Sequence, residues 1–469
     1  MNEIKTQGQL LQEQLLMKPE NLGETMSQQE IEASYAFCED YKTFLNQGKT
    51  EREVVNATVA RLEKAGYTPY QPGKQYKAGD KVYKNNRGKA IFITTFGTAP
   101  LSQGVHICAS HIDSPRLDFK PRPLFEEAQL AYFKTHYYGG IKKYQWTAIP
   151  LSLHGTIIKK DGTVLEVTIG EDPADPVFCV TDLLPHLAAD QMKKTMAEGI
   201  TGEQLNILIG NMPFKDDKAS EKVKLNIAKL LFEKYGLLEI DLLSAELCAV
   251  PAFQAQDIGF DRGMIGAYGH DDRVCAYPSL MAEIGCKMPT YTTVTVFADK
   301  EETGSDGNTG TASMVLRDYL EDLAEGAGIP VRRLLENSKC LSSDVNVAFD
   351  PAFAEVSEKR NNCYINYGAV LTKYTGSRGK GGTNDASAET MGYFRQVMDE
   401  AGVVWQTGEL GKVDQGGGGT VAKYISFHNI DTVDLGVPVL SMHAPFEVVS
   451  KLDVYMTYKA VKAFYEAKK

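Results

Sequence analysis

No run of 18 consecutive apolar residues occurs in this 469-residue chain, which leaves no candidate for a membrane-spanning helix. The first twenty residues, MNEIKTQGQLLQEQLLMKPE, lack the apolar core of a secretory signal, so a cytoplasmic location is expected. Basic residues are in deficit: 50 Lys and Arg face 61 Asp and Glu, a formal charge of −11, and no Lys/Arg block is long enough to follow a phosphate backbone. Neither nucleic acid nor a membrane is therefore an expected partner. The eight cysteines form no CxxC pair, which argues against a disulfide framework or a cysteine-built zinc site; segments such as VHICAS and NNCYINY read as buried reduced thiols. The GxSxG elbow is missing, and no cysteine has an evident electropositive setting beside a histidine, which sets aside serine and cysteine nucleophiles. Glycine-rich GSRGKGGTNDAS (376–387) and Gly416–Gly419 lack the spacing of a phosphate-binding loop and are read as mobile loops lining a cleft.

With 43% hydrophobic and 24% charged residues, the chain has the composition of a globular protein. Its length exceeds one ordinary core, so two domains, or one large domain carrying an insertion, are expected. Residues 28–66 read as two helices, the second opened by a capping box at Thr50-Glu51-Arg52-Glu53 and ending at Gly66. Beyond about 90, short β-branched runs follow: AIFITTFG, GVHICASH, TTVTVFAD (292–299), CYINYGAV (363–370) and TVDLGVPVL (432–440). Helical stretches alternate with them, including DDRVCAYPSLMAEIG, ASAETMGYFRQVMDEAG and the C-terminal FEVVSKLDVYMTYKAVKAFYEAKK. This alternation predicts an α/β fold with a mixed sheet sandwiched by helices. The rhythm breaks from 117 to 255, where PRPLFEE, strand-like TAIPLSLHGTIIKKDGTVLEVTIG and a helix-rich tail predict a β-rich inserted domain. The catalytic domain is then 1–116 together with 256–469.

Five separated places put ionisable residues where an apolar strand ends, the edge of an open α/β sheet at which ligands bind. His111 follows VHICAS and precedes Asp113, a carboxylate placed to orient its imidazole. Asp271 and Asp272 open an apolar helix, where either could equally be a cap or a charge at the positive end of the dipole. Glu301 and Glu302 stand side by side after a strand; two such carboxylates are not cheaply buried without a cation, and one could bind metal while the other serves as general base. Asp344 and His443 each end an apolar stretch. Each place alone has an ordinary structural explanation. Together they offer two histidines and a set of carboxylates, a mixture suited to zinc or another first-row divalent cation.

The ordered series His111-Ile-Asp113-Ser-Pro, Gly269-His-Asp271-Asp272, Asp299-Lys-Glu301-Glu302, Ser343-Asp344 and Met442-His443 resembles the M18 family of metallo-aminopeptidases, over nearly the whole chain. The resemblance implies two divalent metal ions per subunit, zinc with manganese or cobalt as alternatives. His111, Asp271 and Asp344 would hold one; Asp271, Glu302 and His443 would hold the other, with Asp271 bridging. It makes Glu301 the general base and peptides with a free N-terminus the substrates, and it implies a cis peptide at Asp271–Asp272. It also makes the 117–255 insertion a dimerisation domain of a homo-oligomer, a tetrahedral dodecamer, with His154 in PLSLHG matching a histidine lent to a neighbouring subunit's site. Acid-preferring relatives carry a lysine in the strand after the fourth motif; GAVLTKY offers Thr372 and Lys373 there, so a preference for acidic N-terminal residues is left open, as is a contribution from Arg378 and Lys380. The rival readings are another hydrolase with the same centre, a carboxypeptidase or an N-acyl amino acid deacylase, and a non-enzymatic assembly scaffold.

Overall fold

The β-branched runs Val105–His111, Thr292–Ala298 and Lys339–Ser343 are buried along nearly their whole length, and the computed structural model, which describes residues 5–468, places them side by side. They lie in a nine-stranded sheet ordered Thr68–Pro69, Lys81–Asn86, Ala90–Thr95, Thr292–Ala298, Val105–His111, Lys339–Ser343, Asp431–Gly436, Ala369–Thr372, Trp405–Thr407. The middle four strands are mutually parallel, and an antiparallel strand flanks them on each side. Parallel strands are covered on both faces. Here Ile107 and Ala109 pack with Leu316, Tyr319 and Leu320 of helix Val315–Gly326, while Cys108 faces the opposite layer with Val461 and Phe464 of helix Lys451–Glu466. Each fully buried Leu or Phe of these layers contributes about 1.5–3 kcal/mol.

The insertion forms a sheet of its own. Seven antiparallel strands, all between Arg116 and Pro251, are ordered Val164–Ile169, Leu151–Ile158, Ala245–Pro251, Arg116–Glu127, Leu130–Tyr138, Ile207–Gly210, Cys179–Val180. Its core, which includes Trp146, Leu151, Leu205 and Ile207, is separate from those of the large sheet. A third sheet of five short strands joins Met264–Ala267 to Glu447–Ser450 and Pro438–Leu440.

The helices at Gln28–Gln47 and Glu51–Lys64 form as the sequence predicts, with the Thr50/Glu53 capping box present. Three elements differ. Within 363–370 only Ala369 and Val370 are strand; before them the backbone N–H groups of Asn366 and Gly368 donate to the buried carboxylate of Asp453, which draws the chain onto the last helix instead of along the sheet. The run 432–440 splits at Val437 into strands of two different sheets. Phe446-Glu447-Val448-Val449 is not helical; Glu447–Ser450 is a strand, and the helix starts only at Lys451, capped by the Ser450 hydroxyl. Seven of the eight cysteines are buried, and all eight are free.

Candidate metal centre

Parallel strands share a carboxyl edge, and this common edge gathers the five places noted in the sequence. His111 is the last residue of Val105–His111, Glu301 and Glu302 lie just past Thr292–Ala298, and Asp344 directly follows Lys339–Ser343. Asp271 is the second residue of helix His270–Gly285, with non-helical backbone there, and His443 follows the third-sheet strand Pro438–Leu440. The Asp271–Asp272 peptide is cis. His443 and Lys300, which precedes Glu301, both have left-handed backbone, at φ +64° and +70°. Side chains other than glycine seldom adopt that region, and such outliers cluster at sites that require a particular orientation.

Asp271 lies between the two histidines. Its Oδ1 is 3.0 Å from Nε2 of His111, and its Oδ2 is 3.2 Å from Nε2 of His443. Asp344 Oδ1 is 3.7 Å from the first imidazole, and Glu302 Oε2 is 3.5 Å from the second. The donor atoms form two groups, His111/Asp271/Asp344 and Asp271/Glu302/His443, within each of which all lie within 4.8 Å of one another. The other ring nitrogen of each histidine faces a backbone carbonyl, Asp113 at 3.0 Å and Gly140 at 2.7 Å. A carbonyl only accepts, so both Nδ1 atoms carry hydrogen, and in its neutral form each ring would direct its Nε2 lone pair at carboxylate oxygens. Lone pair against carboxylate is repulsive unless a cation or a proton intervenes, and an Nδ1–H on a backbone carbonyl is the usual support of a metal-binding histidine.

The electrostatics agree. Burial opposes charge on His111, yet Asp113, Asp271 and Asp344 override it and raise its pKa well above the ordinary value; Asp271 and Glu302 likewise hold His443 up at about 10 against burial. Burial and then the neighbouring Asp271 raise the Glu302 carboxyl, while Asp271 itself, despite burial, is pulled below the usual carboxylate range by the two imidazoles. Burial lifts Glu301 to about 8, with Asp344, Asp113 and Asp271 adding to it against His111. Without cations these acids compete for protons; a divalent ion displaces those protons and inverts the shifts. Asp271 Oδ1 and Glu302 Oε1 are buried with no hydrogen-bond donor among the described residues. The residues therefore fit a pair of divalent cations.

Asp113 does more than orient His111. Its carboxylate accepts the backbone N–H of Glu301 at 3.1 Å and of Glu302 at 3.2 Å, and the Tyr138 hydroxyl at 2.7 Å, so it anchors the acidic pair. Asp272 is in neither group; it accepts the backbone N–H of His111, and its other oxygen has no hydrogen-bond partner among the described residues. Sequence reasoning missed three contributors. Glu447, fully buried and raised to about 8 by burial and Asp271, accepts the N–H groups of both Asp271 and His443; an acid opening the apolar run EVV was the available signal. Tyr138 ends an insertion strand and Gly140 follows two residues after it. The Gly139-Gly140 pair was the signal there: Gly139 has φ +75°, and a Cβ on it would stand 3.3 Å from Glu302.

Two predicted residues are not brought to this cluster. His154 is 2% exposed inside its own chain, its Nδ1 2.7 Å from Glu53 and its Nε2 3.0 Å from Ser152 and 3.1 Å from Glu171. Within its own chain both of its ring nitrogens are engaged, by Glu53 on one side and by Ser152 and Glu171 on the other. Lys373 is exposed and paired with Asp385, whereas Thr372 is buried against Asn346. Neither Lys373 nor Thr372 lines the cavity of about 530 Å³ that opens over Asp271, Glu301, Glu302, Asp344 and His443.

Residues 44–465 match the family model for the aminopeptidase I zinc metalloproteases, M18. A probable M18 family aminopeptidase 1 of Clostridium acetobutylicum is 47% identical over 458 residues, covering 96% of this chain and 98% of that protein. The crystal structure of an M18 aminopeptidase from Thermotoga maritima superposes with a TM-score of 0.91 at 42% identity, covering 96% of this chain and 99% of that one. The S. cerevisiae mApe1 dodecamer shares the fold at TM-score 0.72 and 19% identity, covering 91% of this chain and 95% of that one. With these likenesses spanning both the large sheet and the insertion, the chain belongs to the M18 family of zinc metallo-aminopeptidases.

Proposed function

We propose that the chain hydrolyses the N-terminal residue from peptides with a free N-terminus, with two divalent cations, zinc first among them, held by His111, Asp271 and Asp344 and by Asp271, Glu302 and His443. The observation that supports this most directly is the pair of imidazole Nε2 atoms facing the two oxygens of one aspartate. Bound cations supply a lowered pKa for water and polarisation of the scissile carbonyl. Glu301 stands outside both ligand groups, 3.9 Å from His111 Nε2, and its carboxylate oxygens make no hydrogen bond among the described residues. It accepts the proton of the attacking water and returns it to the leaving amine, which requires a carboxylate anchored only through its backbone; Asp113 supplies that anchor. The cavity is lined in part by apolar Val345, Leu410 and Met442, and Lys423 is the lysine among its lining residues. An acidic N-terminal side chain would therefore meet Lys423 and not Lys373.

The insertion, residues 117–255, is proposed as the dimerisation domain of a homo-oligomer, a tetrahedral dodecamer. Most of the exposed large hydrophobics fall within it, among them Leu187, Met192, Met196, Leu230 and Phe232. Apolar surface at that density marks a partner-binding face.

A panel of free and N-acetylated peptides with acidic, basic and apolar first residues, assayed with and without chelator, tests the reading. Chelator-sensitive release of only free N-terminal residues is expected. Cleavage of acetylated peptides, or release from the other end, would keep the centre and replace the reaction by that of a deacylase or carboxypeptidase.

A further inference from the structure

A second cavity, of about 230 Å³, adjoins the catalytic one, with Thr375 and Leu410 lining both. Its walls are two segments that the hydrolytic chemistry leaves unused: the turn closed by the bridge between Ser377 and Gly381, and residues 409–416. Arg378, Lys380 and Lys412 line it, with Glu409 the acid among them. Glu409 accepts the Tyr374 hydroxyl at 2.5 Å. Lys380 is shared with Asp385 at 2.9 Å and lies 3.8 Å from the centre of the Tyr374 ring. Arg378 and Lys412 form no ion pair with any acid among the described residues. Two divalent cations would neutralise much of the charge of Asp271, Glu301, Glu302 and Asp344, so the field remaining along the joined cavities is that of their cationic end.

We propose that this second cavity is a subsite for a carboxylate on the leaving part of the substrate, held by Arg378 and Lys412. The carboxylate is either the C-terminus of a short peptide or an acidic side chain beyond the scissile bond. The proposal rests on the aminopeptidase reading of the adjoining centre. An extended peptide advances about 3.3–3.6 Å per residue, so a cavity that shares its wall with the catalytic one is reached within a few residues of the bond cut. The arginine presents a planar fork that matches both carboxylate oxygens, while the lysine adds a point charge.

The test uses wild-type protein reconstituted with zinc, the single variants Arg378→Gln and Lys412→Gln, and their combination. Substrates are short peptides in matched pairs, C-terminal acid against amide, and downstream Glu against Gln in an amidated peptide. The wild type should favour the carboxylate member of at least one pair by about five-fold in kcat/KM, mainly through KM and less so at high salt. The pair that shows the preference identifies which carboxylate is held. In the double variant the ratio should fall to about one, and Arg378→Lys, which keeps the charge without the fork, should give an intermediate value even if the glutamine variants fold poorly. A wild-type ratio near one for both pairs, or a ratio unaltered in the variants, overturns the subsite and leaves the aminopeptidase reading standing. Absence of any chelator-sensitive release by the wild type overturns both.

Discussion

Replacing Glu301 by Gln keeps the shape of the side chain and removes its ability to take a proton. The backbone N–H of Glu301 would still reach Asp113 at 3.1 Å, so the loop and its neighbour Glu302 stay in place. Because Glu301 belongs to neither ligand group, metal content should hold at the wild-type level. Under the proposed mechanism the loss is of proton transfer by a positioned carboxylate, worth about 10²–10⁴ in rate, or roughly 3–5 kcal/mol of transition-state stabilisation. The fall should appear in kcat with KM little changed, since the substrate's ground-state contacts are untouched. Steady-state kinetics on an aminoacyl arylamide, run beside metal analysis of the same sample, measures both quantities. A variant with full metal and kcat within ten-fold of the wild type would remove Glu301 as the base. Loss of one metal equivalent would instead make it a ligand.

Glu447→Gln takes one acceptor from the N–H groups of Asp271 and His443, the two residues common to the second ligand group; its metal affinity should drop about 10- to 100-fold, read by competition with a chelating dye. His154→Ala should destabilise the fold by about 1–3 kcal/mol, because it removes the partner that Glu53 and Glu171 share while Glu171 keeps Lys49, whereas a site built in trans through His154 would instead lose activity at unchanged stability. The pH dependence has a definite sign. Burial lowers the His154 pKa, but Glu171 and Glu53 raise it above the ordinary value overall, so its stabilisation is complete below about pH 6.5 and is lost as pH rises through the folded-state value. Denaturant midpoints of wild type and variant should therefore lie further apart at acid pH than at alkaline pH, and a constant gap would contradict the ion-pair account.

The strand-end candidates were readable from the sequence because strand ends are local events. A β-branched run that stops at His111, at Asp299-Lys300-Glu301 or at Asp344 announces its own carboxyl edge, and parallel neighbours bring such edges together without further information. The two helices of residues 28–66 were readable for the same reason, since a capping box and a 3.6-residue period depend only on near neighbours. The breaks at 363–368, at Val437 and before Lys451 were not, because each is made by a distant partner: the Asp453 carboxylate, or pairing in a second sheet. The burial of His154 likewise depends on Glu53, a hundred residues earlier.

By itself, then, the sequence determined which residues could carry charge at strand ends and hence the metal chemistry open to this chain. Only the tertiary structure decided that Asp271 rather than Asp272 lies between the two imidazoles and that Glu447 supports them. It also decided that Tyr138 and Gly140 of the insertion complete the cluster, and that Lys373 lies outside it. The physical reason is that residue type and local period specify what a side chain can do. Its partners are set by long-range packing and by the need to pair every buried polar group, and those constraints exist only once the chain has closed on itself.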